Sequence, residues 1–119
     1  SAVICGGHTT AVLGALTHGL PSILIPAGGE TPDNAEKVVK LGCGVRLQGE
    51  AITADAARAA VDEVLAAAEP PRMCREVQQA FARTAPFQKA AELVEELANT
   101  RTRVDRHRNT ALTEVMAGA

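Results

Sequence analysis

The chain alternates short apolar runs with longer amphipathic ones. "AVIC" (2–5) and "SILIP" (22–26) are apolar stretches of strand length, each ending in glycine or proline. Runs of this kind read as buried strands. "CGVRL" (43–47) reads as a third. Helical stretches separate and follow them. The segment at about 10–17 opens after Thr9 and Thr10, either of which can cap it, and stops near Gly19-Leu20-Pro21. A second helix has Pro32 in its first turn, carries Val38, Val39 and Leu41, and ends at Gly42. Thr53 caps a third, in which Ala57, Ala60, Val61, Val64, Leu65 and Ala68 recur with helical period until Pro70-Pro71 break it. A fourth, about 71–83, carries Met73, Val77 and Phe81; a fifth opens at Pro86 with Phe87, Ala90, Ala91, Val94 and Leu97 on one side. After Asn99 the period decays into "RTRVDRHR".

Strand, helix, strand, helix, strand is the grammar of a parallel α/β sheet. Doubly wound sheets usually have about five or six strands, so three predict a partial one, followed here by C-terminal helices. The chain also opens inside a strand-like run without an initiating Met, which predicts a piece of a longer protein whose further strands lie upstream. Residues 1–98 are expected to form the α/β unit and 99–119 an Arg-rich tail. Strand 2–5 should lie beside strand 22–25, because a crossover of this length favours neighbours. Its other edge would then be bare, and "SAVIC" has no charge or proline to protect it. Self-association is the expected outcome, by edge pairing or by exchange of C-terminal helices.

Composition narrows the function classes. The 119 residues suit one domain, and 46% hydrophobic with 22% charged residues is ordinary for a globular chain. Aromatics make up only 2%, which argues against stacking platforms for single-stranded nucleic acid. Twelve basic against fourteen acidic residues leave a net charge of −2, so no nucleic-acid partner is expected. Arg101, Arg103, Arg106 and Arg108 read as a solvated tail. Cys5, Cys43 and Cys74 form no C-x-x-C pair, which favours reduced, buried thiols in a cytoplasmic protein over a metal site. No apolar run has the length to span a bilayer, so no membrane partner is expected.

The chemistry concentrates where strands give way to helices. "CGGHTT" (5–10) follows the first strand. Gly6 and Gly7 let backbone approach an anion, the helix start offers unpaired N–H groups, and Thr9 and Thr10 add hydroxyl donors. A phosphate or diphosphate is the natural guest, and His8 can donate a charge-assisted hydrogen bond to it. The same pattern also occurs as a plain turn and helix cap. "PAGGETPDNA" (26–35) follows the second strand and puts Glu30 and Thr31 in the adjacent loop. A carboxylate beside a hydroxyl suits the hydroxyls of a sugar, although both residues also suit the opening of a helix.

The ordered run "GGHTTAVLGALTHGLPSILIPAGGETPDNAEKVVKLGCGVRL" resembles the nucleotide-sugar-binding signature of family 1 glycosyltransferases, nearest to the bacterial branch that decorates macrolides and other polyketides. Gly6-Gly7, Thr10, Ala15-Leu16, Gly19-Leu20-Pro21, Pro26, Glu30-Thr31, Asn34-Ala35 and Leu41-Gly42-Cys43-Gly44 carry the likeness. Two departures stand out. Cys5 occupies the place of the family's phosphate-binding His; an alternative alignment puts Gly6 there and Ala11 at the family's Ser/Thr, and the usual His is absent either way. Glu30-Thr31 replaces the family's Asp-Gln pair.

The resemblance implies a Rossmann-like half of a GT-B fold that holds a nucleoside diphosphate sugar. That sugar nucleotide is a substrate, and no cofactor is implied. Gly6, Gly7, His8, Thr9 and Thr10 would hold the diphosphate, and Glu30, Thr31 and Asn34 the sugar. The replaced Asp-Gln pair fits a dTDP-deoxysugar donor or an altered site. The implied reaction is inverting transfer to a natural-product hydroxyl. Its base would belong to an N-terminal acceptor domain not contained in these residues, so no catalytic residue is assigned and the fragment alone should be inactive. A nucleotide-sugar epimerase of the same architecture and a non-catalytic binding or assembly module are the alternatives. The epimerase would want more carboxylates around the sugar than Glu30.

Overall fold

A computed structural model describes residues 1–49 and 52–102. The Arg-rich stretch beyond Thr102, with Arg103, Arg106 and Arg108, lies outside the described residues. Three strands, β1 (Val3–Cys5), β2 (Ser22–Leu24) and β3 (Gly44–Arg46), alternate with helices α1 (Thr9–Thr17) and α2 (Thr31–Lys40). Three further helices follow: α3 (Ala54–Ala66), α4 (Glu69–Thr84) and α5 (Pro86–Thr100). Each strand is shorter than its apolar run, because the flanking residues turn into the loops.

The sheet is parallel throughout, in the order β1-β2-β3, with Val3 opposite Ser22 and Ser22 opposite Gly44. The expected neighbours β1 and β2 are therefore paired. β2 is central and buried at every position. The β2–β3 approach depends on glycine: a Cβ on Gly44 would stand 2.0 Å from the Ser22 carbonyl oxygen.

Alternation along β2 divides the core into two faces. Leu24 joins Val12, Leu16, Val38, Met73 and Val77 beneath α1, α2 and α4. Ile23 points the other way and packs with Ala60 and Val64 of α3. α3 begins as the sequence predicts, with the Thr53 hydroxyl accepting from the Ala56 N–H at 3.1 Å. α1 begins differently. Thr9 and Thr10 lie inside its first turn, His8 holds the cap position, and no side chain caps the helix. Pro70 and Pro71 open α4 rather than merely ending α3.

α4 is fastened to the turn before β3. The Cys74 thiol donates to the Cys43 carbonyl at 3.6 Å, and neither cysteine is exposed. Hydrogen bonding with Cys74, and then burial, pushes the Cys43 thiol far above the ordinary range. The Cys43 side chain, hydrogen-bonding to the Cys74 thiol, lowers Cys74. Ala85, at φ 42°, breaks the chain between α4 and α5, and Pro86 sets the new helix direction. The apolar side predicted for α5 exists, but no residue of that helix is buried and Phe87 is 91% exposed.

Candidate functional site

Parallel strands bring the loop after β1 and the loop after β2 to one edge of the sheet. The Cys5 carbonyl accepts from the Ile25 N–H at 2.9 Å, which keeps the strand ends level. Beyond them Gly7 turns the chain with φ +86°, a conformation that glycine adopts without strain. It also faces the second loop, since a Cβ there would meet the Thr31 carbonyl oxygen at 3.1 Å. Gly6 and Gly7 thus sit at the carboxyl end of a strand and the mouth of α1. His8 is exposed, and its ring lies alongside Gly6. Thr9 and Thr10 are exposed in the first turn. With no side-chain cap, the first N–H groups of α1 remain available to a ligand, and the helix dipole adds positive potential there.

The second loop is built around Thr31. Its hydroxyl accepts from the Ala27 and Gly28 N–H groups, both at 3.1 Å, and donates to the Gly28 carbonyl at 2.7 Å. The side chain is 2% exposed, so it shapes the loop from within. Glu30 is exposed at the cap position of α2. Asn34 lies one turn further on, and its amide N–H group reaches across to the first loop. It donates to the Gly7 carbonyl at 3.0 Å and to the Thr9 hydroxyl at 3.2 Å.

The structure therefore brings Gly6, Gly7, His8, Thr9, Thr10, Glu30, Thr31 and Asn34 to one edge, but in unequal positions. The β1–α1 residues present donors to solvent. Glu30 stands exposed at the start of α2. Thr31 and Asn34 tie the two loops into one surface. The Asn34 clamp escapes sequence reasoning because its partners lie 27 and 25 residues away. The local signal was its place in the first turn of α2. Among the described residues no cluster of three or more His, Cys, Asp or Glu could hold a metal ion.

Strands alternating with helices in one parallel sheet define a class, the α/β domains. Comparison gives the family. Residues 1–99 match the Erythromycin biosynthesis protein CIII-like C-terminal domain, and the chain belongs to that family. A PGL/p-HBAD biosynthesis glycosyltransferase of Mycobacterium tuberculosis (strain ATCC 25177 / H37Ra) is 33% identical over 79 residues, which are 66% of this chain and 18% of that protein. The corresponding protein of strain CDC 1551 / Oshkosh matches to the same extent. Among solved structures, the glycotransferase of kitacinnamycin superposes with a TM-score of 0.72 at 27% identity, over 79% of this chain and 25% of that one. The resemblance to the C-terminal domain of family 1 glycosyltransferases, and to the Rossmann-like half of their GT-B fold, is thus met in sequence and in structure. The matched segment is about a fifth of the length of these mycobacterial relatives.

Proposed function

We propose that this chain is the donor-binding part of an inverting glycosyltransferase. The uncapped mouth of α1, opened by Gly6 and Gly7 and tied by Asn34 to the helix that Glu30 begins, is the observation that carries this reading. The donor is a nucleoside diphosphate sugar, in our reading a dTDP-deoxysugar. Backbone N–H groups after Gly6 and Gly7, the hydroxyls of Thr9 and Thr10, and His8 hold the diphosphate and stabilise it as it leaves. Glu30 binds sugar hydroxyls, with Thr31 and Asn34 fixing the loop that presents it. An acceptor hydroxyl on a natural product, deprotonated by a base in an N-terminal domain, attacks the anomeric carbon. The anomeric C–O bond to the diphosphate breaks as the new bond forms on the opposite face.

The test separates sugar from diphosphate. In an enzyme containing both domains, Glu30→Ala is expected to cut transfer at least about tenfold while nucleoside diphosphate affinity changes less than about twofold. Equal loss of both would make Glu30 a structural residue and remove the sugar assignment.

The partners follow from the same reading: the sugar nucleotide and an acceptor-binding domain. We add self-association, supported by β1, which among the described residues pairs on one side only and leaves Ile4 53% exposed. No helix among the described residues is long and apolar enough to cross a membrane. The three free thiols support a reducing, cytoplasmic setting.

A further inference from the structure

Cys43 and Cys74 lie 31 residues apart in the sequence and meet in the larger core cluster, where both are fully buried. Their main chains are held from several sides. The Cys43 N–H donates to the Val38 carbonyl, and the Cys43 carbonyl accepts from the Ser22 N–H, each at 3.0 Å. Cys74 is set by α4, in which Met73, Cys74 and Val77 are buried together. The Cys74 sulfur stands 3.6 Å from the Cys43 carbonyl oxygen, and so within about 5 Å of the Cys43 carbonyl carbon. The two side chains also hydrogen-bond to one another. Cysteines this close lie within the span that a disulfide bridges.

The donor site makes no use of this pair. Cys43 precedes β3, at the end of the parallel sheet opposite the loops that carry the site. Packing does not need the thiol protons either. S–H is a weak donor, and the Cys43 thiol lies 3.7 Å from its own carbonyl contact, Leu41. Little hydrogen bonding is lost when both protons leave.

We propose that Cys43 and Cys74 form an oxidative modification site, at which hydrogen peroxide joins them in a disulfide that clamps α4 to the turn before β3. The Cys74 sulfur, as thiolate, attacks one peroxide oxygen; the O–O bond breaks, and the hydroxide released takes up the proton that Cys74 gave. The Cys43 sulfur then attacks the Cys74 sulfenic acid. The S–S bond forms, the S–O bond breaks, and the departing hydroxide leaves as water with the Cys43 proton. Two thiols lose two electrons, and one peroxide becomes two waters. Cys74 takes the first role because its neighbour makes it the more acidic thiol, while Cys43 keeps its proton for the second step. Peroxide is little larger than water and enters through a smaller opening than a thiol-labelling reagent needs. In a reducing compartment such a bond is transient and reports oxidant. α4 also holds α1, since the Gln78 amide donates to the Thr17 carbonyl at 3.1 Å, so the clamp stiffens the layer beneath the donor site.

The experiment treats the folded Cys5→Ser chain with hydrogen peroxide, removes the oxidant, alkylates the remaining thiols in denaturant and digests with trypsin. The expected product is the peptide Leu41–Arg46 joined to Met73–Arg75 within one chain, separated again by dithiothreitol. The oxidised chain should melt roughly 5–10 °C above the reduced one. Cys43→Ser should leave Cys74 as a sulfenic acid that dimedone traps, and the peptide map of the Cys5→Ser chain decides even where that variant fails to fold. Two alkylated cysteines, a sulfinic acid on Cys74 without the joined peptide, or joining only between chains overturns the proposal. So does a joined chain whose melting point fails to rise, because the bond would then form only by distorting the core. None of these outcomes depends on nucleotide binding, so this proposal and the donor-site reading can each fail alone.

Discussion

Asn34 does more at this edge than a helix-opening residue needs to. One amide group restrains both the Gly7 carbonyl and the Thr9 hydroxyl, so the α1 mouth keeps its shape before any ligand arrives. A site organised in advance saves the ordering cost of binding. Removing this group frees a half-buried carbonyl and a hydroxyl that water can satisfy. Asn34→Ala should therefore cost about 1 kcal/mol of stability and weaken nucleoside diphosphate affinity about fivefold. Denaturant midpoints and calorimetry measure the two effects. Unchanged affinity would show that the clamp serves folding alone. The family resemblance placed Asn34 near the sugar. Its cross-loop bonds need the two strands level, which only the sheet supplies.

At the scale of elements, periodicity was a good guide wherever burial imposed it. β2 is apolar because it is covered on both faces, and Ala60 and Val64 recur because α3 presents one side to the sheet. The helix starts were less legible. Thr9 and Thr10 look like caps, but the double-glycine turn places His8 at the cap position instead. α5 has an apolar side by pattern and buries none of it, since a period shows that a face exists and not what covers it. α4 is different, because Met73, Cys74 and Val77 are all buried. Its seating predicts thiol behaviour. Cys5 is half-buried and should react first with a thiol reagent, while Cys43 and Cys74 should react only as the fold opens. One fast and two slow thiols in a labelling time course is the expected result. Three equal rates would mean that α4 is not docked as described.

At the scale of the molecule, the resemblance legible in residues 2–47 carried the family, and the structure shows why those residues run together: they build the three-stranded sheet and its first two helices. The bare side of β1 predicts assembly, and light scattering at micromolar concentration should report more than one copy of the chain. A monomer with an ordered β1 would contradict self-association. The central claim is narrower, that the β1–α1 loop is a diphosphate site. It is tested most directly by titrating the chain with thymidine diphosphate, and separately with thymidine, while recording amide NMR shifts. The account predicts saturable shifts centred on Gly6 to Thr10 with the diphosphate and none there with the nucleoside. Shifts centred elsewhere, or none at millimolar diphosphate, would contradict it.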